Sequence, residues 1–182
     1  SAPPGGGRNE ITQRFSSQFH TLCIPSAAEE VLESIFKTML SGFLEAYRFS
    51  AATQDLSAKA VKATIEVYHA VAANLRPTPA KFHYTFNLRD VSKVFQGLMM
   101  VKPRQCPDAP TFTKLWTHES CRVFHDRLRN KEDQRWFTEF IVSLIPRHFG
   151  ERFTHEQLFE DKTPLAWCDF LKPGDDVPYE MV

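Results

Sequence analysis

The stretch "PTPAKFHYTFNLRDVSKVFQGL", Pro77 to Leu98, changes backbone habit twice within 22 residues and fixes how the chain around it is organised. Pro77 and Pro79 forbid a helix from continuing through them. "KFHYTF" then alternates Phe82, Tyr84 and Phe86 against Lys81, His83 and Thr85, which reads as a short extended segment. Asn87 is a good N-cap, and Asp90 at the third helical position places a negative charge where the positive helix end favours it. A helix over "NLRDVSKVFQGLMMV" follows.

Helical periodicity extends in both directions. Upstream, Ser26 with Glu29 three residues later makes a capping box, and Val31, Leu32, Ile35, Phe36, Met39, Leu40, Phe43, Leu44 and Tyr47 recur at helical spacing. A second helix through "DLSAKAVKATIEVYHAVAANL" places Val61, Ile65, Tyr68 and Ala72 on one face. Downstream of the loop "KPRQCPDAP", two further helices are expected. "TFTKLWTHESCRVFHDRL" turns Phe112, Leu115, Trp116, Val123, Phe124 and Leu128 inward, and "EDQRWFTEFIVSLIPRHF" turns Phe137, Phe140, Ile141 and Leu144 inward. The two ends differ. "QFHTLCIP", Gln18 to Pro25, reads as a short buried strand without a sheet to join, and from Gly150 the pattern decays into a turn-like "THEQLF" and an extended tail. The expected fold is mainly α: a helical bundle over residues 26–150, with a strand remnant in 1–25 and an extended segment in 151–182.

Composition excludes several classes of function. The chain is 42% apolar and contains sixteen phenylalanines, so a folded core is expected. Lys plus Arg equal Asp plus Glu at 22 each, so no basic field invites nucleic acid. No apolar run reaches the roughly 18 residues of a membrane span. Cys23, Cys106, Cys121 and Cys168 form no C-x-x-C pair, so free thiols in a reducing cytoplasm are expected. The glycines of "PPGGGRNEITQRF" are followed by no Gly-Lys-Ser/Thr, so they form no nucleotide-activating phosphate loop.

Three groups are candidates for chemistry. Arg89 lies in the first helical turn, where a cation is disfavoured by a few tenths of a kcal/mol. Two partners would offset this: a carboxylate such as Asp90, or an anion at the helix N-terminus, where backbone N–H groups already favour phosphate. Arg14 reads either as a solvated arginine on a turn or as a guanidinium projecting toward another surface's phosphoryl group. His118, Cys121 and His125 share one helix face, yet Arg122 stands where H-E-x-x-H needs its second histidine, and no metal is expected.

In this order, "PPGGGRN", "PTPAKFHYTFNLRDVSKVFQGL", "LWTHESCRVFHDRL" with the acidic residues and Trp136 after it, and "DFLKPG" before Tyr179 and Glu180 resemble the heavy chain of axonemal dynein. The order is most similar to the third AAA+ module of that motor's ring, from the end of its large subdomain (1–25) through its helical lid (26–150) to a connector toward the fourth module (151–182). The resemblance implies that Arg14 is an arginine finger acting in trans on the preceding module's nucleotide. It implies that Arg89 is the sensor-2 arginine facing phosphates in its own module. ATP or ADP with Mg would belong to the intact parent, with none expected in this piece, which lacks Walker A and Walker B and is not expected to hydrolyse ATP alone. The implied partners are neighbouring AAA+ modules and, through a stalk elsewhere, microtubules. The implied location is the cytoplasm and the ciliary axoneme, and the isolated piece is expected to be a monomer or weak dimer. A structural module that packs ring neighbours, or a free-standing helical adaptor, would also suit a Phe-rich bundle.

Overall fold

A computed structural model of the chain describes residues 11–22, 24–25, 27–160, 165–171 and 177–182. Among them are seven α-helices: α1 (Gln13–Ser16), α2 (Glu29–Ala46), α3 (Ala51–Gln54), α4 (Ser57–Asn74), α5 (Leu88–Leu98), α6 (Ala109–Val123) and α7 (Lys131–His148). A 3-10 turn (His125–Arg127) links α6 to α7, and a π-helical turn (Glu156–Glu160) follows α7. β1 (Trp167–Cys168) and β2 (Glu180–Met181) pair antiparallel in a two-stranded ribbon. The mainly α bundle expected from periodicity is the observed fold, and no described helix is long and apolar enough to cross a membrane.

The bundle is built by α4 packing against both α2 and α7, while α5 packs on α6. Leu32, Phe36, Leu40 and Leu44 supply the buried stripe of α2, one residue every turn. Phe36 stacks on Phe95 of α5 with ring centroids 4.6 Å apart. Trp116 of α6 is fully buried and donates its indole N–H to Thr64 Oγ1 of α4 at 2.9 Å, so this side chain leaves no polar atom unsatisfied.

Several expectations are corrected. Val31, Ile35 and Met39 are about half exposed, because their i, i+4 series lies one residue out of phase with the packed one. Ala72 is exposed for the same reason; the inward face of α4 runs through Val61, Thr64, Ile65 and Val71. Ser26 lies outside the described residues, and α2 begins at Glu29 behind Ala28, which offers no side-chain cap. "KFHYTF" opens in a turn, leaving Phe82 76% exposed while Tyr84 is buried. The strand remnant is absent: residues 18–22 and 24–25 carry no strand, and Phe19, Leu22 and Ile24 are largely exposed. A strand's backbone groups need a partner edge, and the described residues offer none there.

The end of α2 shows how local strain is accommodated. Arg48 has φ of 58°, the left-handed region usually given to glycine. It sits in a reciprocal C-cap: Phe49 N–H reaches Leu44 O and Arg48 N–H reaches Glu45 O, both at 3.0 Å, while Phe49 is buried with Leu44. Arg48→Gly relieves a left-handed penalty of about 1–2 kcal/mol but adds unfolded-chain freedom worth about 0.4–1 kcal/mol. Denaturant unfolding is therefore expected to show a net stabilisation of about 0.5–1 kcal/mol; a destabilised variant would mean that the arginine side chain contributes at this corner.

Candidate functional site

The N-terminus of α5 is closed by a reciprocal cap. The Asn87 side-chain oxygen accepts from the Arg89 backbone N–H at 2.9 Å, and the Asp90 carboxylate accepts from the Asn87 N–H at 3.1 Å. Asp90 is only 2% exposed, so its charge needs more than one N–H. Arg127 supplies the rest: Nη1 donates to Oδ2 at 3.2 Å and Nη2 donates to Oδ1, a two-point clamp on the carboxylate. Lys93 Nζ lies 3.5 Å from Oδ1. Burial alone would raise the Asp90 pKa, but the bonds from Arg127 and Asn87 outweigh it and hold the acid below its ordinary range.

Arg127 stands in place because the 3-10 turn that carries it is bonded to the loop before α5. His83 Nε2 meets the Arg127 carbonyl at 3.1 Å, where the ring N–H donates. The buried Tyr84 hydroxyl donates to Asp133 Oδ2 at 2.8 Å and accepts from the Arg129 N–H at 3.0 Å. Lys81 Nζ adds a 2.5 Å contact to the same oxygen. The guanidinium of Arg127 also lies 5.7 Å from the centre of the Phe86 ring. Thus "KFHYTFNLRD" and the end of "HESCRVFHDRL" with the residues just after it, far apart in sequence, form one hydrogen-bonded unit.

That unit decides the state of Arg89. Its backbone N–H is used by the cap, but its side chain is exposed and has no hydrogen bond or ion pair among the described residues. Asp90, one of its two possible partners, is already saturated. A free guanidinium at a helix N-terminus fits a phosphate anion. Beside it, Leu88 lines the lip of a cleft of about 440 Å³ between α2, α4 and α5, with Tyr68, His69, Ala72 and Leu32 on its walls.

The other candidates lie elsewhere. Arg14 is on α1, none of whose residues is buried, rather than on a turn into a strand, and the structure does not bring it to the α5 terminus. The glycines before it, and Arg8, fall outside the described residues. His118, Cys121 and His125 do not converge: His118 Nδ1 bonds the Leu165 carbonyl at 3.2 Å, His125 Nδ1 lies 3.4 Å from Asp126, and burial drives the Cys121 thiol pKa far up. Sequence reading missed Arg127, Tyr84 and Asp133 as the supports of Arg89. The available signal was that a capping-box acid next to an apolar helix face needs a counterion, but spacing does not say which cation arrives.

Comparison with known proteins gives this geometry its family. The model of the dynein heavy chain ATPase lid domain matches residues 31–134, more than half of the chain. The chain belongs to that family. The dynein lid match spans α2 to α6 and the start of α7, and therefore includes Arg89, Asp90, Arg127 and Asp133, while Arg14 lies before it. The chain is 41% identical over 96% of its length to human dynein axonemal heavy chain 6 and 41% identical over 99% to mouse dynein axonemal heavy chain 1. It is 38% identical over 97% to rat dynein axonemal heavy chain 12. It spans only 4%, 4% and 6% of the lengths of these relatives.

Two neighbouring arginines of the lid should therefore behave oppositely. Arg127→Ala strands a buried carboxylate and is expected to cost about 3–5 kcal/mol, whereas Arg89→Ala should stay within about 0.5 kcal/mol of wild type, both read from denaturant unfolding. Because the folded-state pKa of Asp90 is depressed, its contribution is complete above the unfolded value and disappears as pH falls through the folded one. The stability difference between wild type and Asp90→Asn should be constant above about pH 5 and shrink below about pH 4; a difference that grows on acidification would contradict the assignment.

Proposed function

We propose that this lid senses nucleotide within the motor ring of a ciliary dynein and passes that state to the adjoining modules during ATP-driven movement along microtubules. The observation that carries the reading is the division of labour at the α5 terminus. Arg127 and the Asn87 cap take Asp90, so the Arg89 guanidinium is left exposed and unpaired at a helix end that favours anions. Arg89 is then the sensor-2 residue that would hold the terminal phosphates of ATP or ADP, and the cleft lined by Tyr68, His69 and Leu88 gives the bundle a surface beside them. The phosphoanhydride chemistry belongs to the nucleotide and its Mg in the intact parent; this chain's part is to hold and orient.

In the same reading the chain comes from the third AAA+ module, with residues 1–25 ending the large subdomain, 26–150 forming the lid and 151–182 leading toward the fourth module. Arg14 acts in trans as an arginine finger on the preceding module's nucleotide. The similarity to axonemal heavy chains supports placement in the axoneme of a cilium or flagellum, with the neighbouring AAA+ modules as immediate partners.

A purely structural role has its own support, because the half-exposed Val31, Ile35 and Met39 stripe on α2 is an apolar face that a neighbouring module would cover. One experiment separates the two. In the full motor, Arg89→Ala should weaken nucleotide binding roughly 10- to 100-fold, the value of a charge-assisted hydrogen bond, and slow microtubule gliding, with folding unchanged. Unchanged affinity and gliding would leave the lid as a spacer. The isolated chain should show no ATP turnover; activity that survives controls for contaminating ATPases would refute that expectation.

A further inference from the structure

Glu119 of α6 is a second buried carboxylate, fully removed from solvent. Arg122 takes one oxygen, with Nε at 2.9 Å and Nη2 at 2.6 Å from Oε2, and the Tyr179 hydroxyl donates to the other, Oε1. α5 makes room for this group with Gly97, where a Cβ would stand 1.9 Å from Glu119 Oε2. Tyr179 comes from the far end of the chain, just before β2. Burial, followed by the bond to Glu119, pushes its pKa above the ordinary tyrosine value, so the hydroxyl remains a donor.

The C-terminal ribbon touches α6 at a second polar point next door. His118 Nδ1 donates to the Leu165 carbonyl at 3.2 Å, and the His118 and Trp167 rings lie 5.7 Å apart. With its proton on Nδ1, neutral His118 turns a bare Nε2 into the interior, where it is buried without a hydrogen-bond partner among the described residues. That nitrogen lies 3.9 Å from Glu119 Oε1, the same oxygen that Tyr179 occupies. The ribbon itself is short: two residue pairs, Trp167 with Met181 and Cys168 with Glu180, joined by the Val182 N–H to Ala166 O at 3.0 Å. Trp167, Cys168 and Tyr179 are buried, while Phe170, Leu171, Met181 and Val182 stay exposed.

We propose that the ribbon of β1 and β2, with Leu165 and Tyr179 beside it, is a strap that lifts from α6, and that protonated His118 takes over the Glu119 carboxylate when Tyr179 leaves, so that acidification favours the open strap. The exchange is local and balanced. Lifting the strap removes both the Tyr179 donor and the Leu165 acceptor in one motion. It takes the donor away from Glu119 Oε1, and His118 replaces it by presenting an Nε2 proton from 3.9 Å away. Glu119 and Asp126 favour the imidazolium and Arg122 opposes it, yet burial under the strap dominates and lowers the His118 pKa in the closed form. A group that binds its proton more weakly in the closed form drives opening as pH falls. The inference rests on α6 and the strap alone, and is independent of any role for Arg89.

Native-state thiol labelling of Cys168, buried on β1, tests it, with rates corrected for intrinsic pH dependence, beside hydrogen exchange of amides in α4. With an open-state histidine near its ordinary pKa of about 6.5, the strap opening constant of the wild type should rise roughly tenfold from pH 7.5 to pH 5.5. His118→Gln should flatten that response, and Tyr179→Phe should raise opening roughly ten- to hundredfold at both pH values while α4 stays protected. A pH-independent wild-type strap, a His118→Gln variant that keeps the wild-type slope, an unchanged Tyr179→Phe, or Cys168 labelling that keeps pace with exchange of α4 amides would each overturn the proposal. The wild-type titration needs no variant to fold, and its outcome is separable from nucleotide binding by the parent motor.

Discussion

A carboxylate at the third position of a helix is ordinarily a surface feature, but Asp90 is inside the protein, and much of the α5 end is arranged to keep it charged there. Its ion pair with Arg127 is not by itself a source of net stability, since two charges taken out of water give back most of what they gain from each other. It does fix geometry. A bidentate guanidinium allows one orientation of the 3-10 turn, and that turn in turn holds His83, while Tyr84, Asp133 and Lys81 tie the preceding loop to the start of α7. The loop, the cap and the helix junction are a single constraint, and the free state of Arg89 is its consequence.

α5 is bracketed by two such buried acids. Asp90 closes its first turn, and Glu119 of α6 sits against Gly97 near its last. Lys93 lies between them, its ammonium 3.5 Å from Asp90 and its carbonyl 3.4 Å from Arg122. The contacts therefore run without a gap from the helix end that carries Arg89 to the strap that carries Tyr179. Contiguity is a route, and a coupling energy between the two ends is a separate quantity that only paired substitutions measure.

Much of the bundle was legible in the sequence because helix packing is written locally. The Asn87 and Asp90 cap, the inward residues of α6 and the break at Pro77 follow from spacing and from proline and asparagine chemistry. What was not legible depended on distant partners. Nothing near Asp90 in sequence announces Arg127, and nothing near Glu119 announces Tyr179, because side-chain pairs across helices have no period. The misreadings have the same origin: the apolar positions of α2 exceed one stripe, so which of the two phases is buried was decided by α4 and α5. Likewise, an alternating run such as Gln18 to Pro25 becomes a strand only when an edge is available. The role of Arg14 rests on resemblance, and among the described residues its side chain has no hydrogen-bond or ion-pair partner that would set it.

The central claim is that Asp90 belongs to Arg127 and not to Arg89. Double-mutant cycles on unfolding free energy, pairing Asp90→Asn with Arg127→Met and, separately, with Arg89→Met, measure it directly. The account predicts a coupling of about 1.5–3 kcal/mol for Asp90 with Arg127 and a value within about 0.5 kcal/mol of zero for Asp90 with Arg89. Comparable couplings in the two cycles, or a larger one with Arg89, would contradict it, because the Arg89 guanidinium would then be held by its own neighbour.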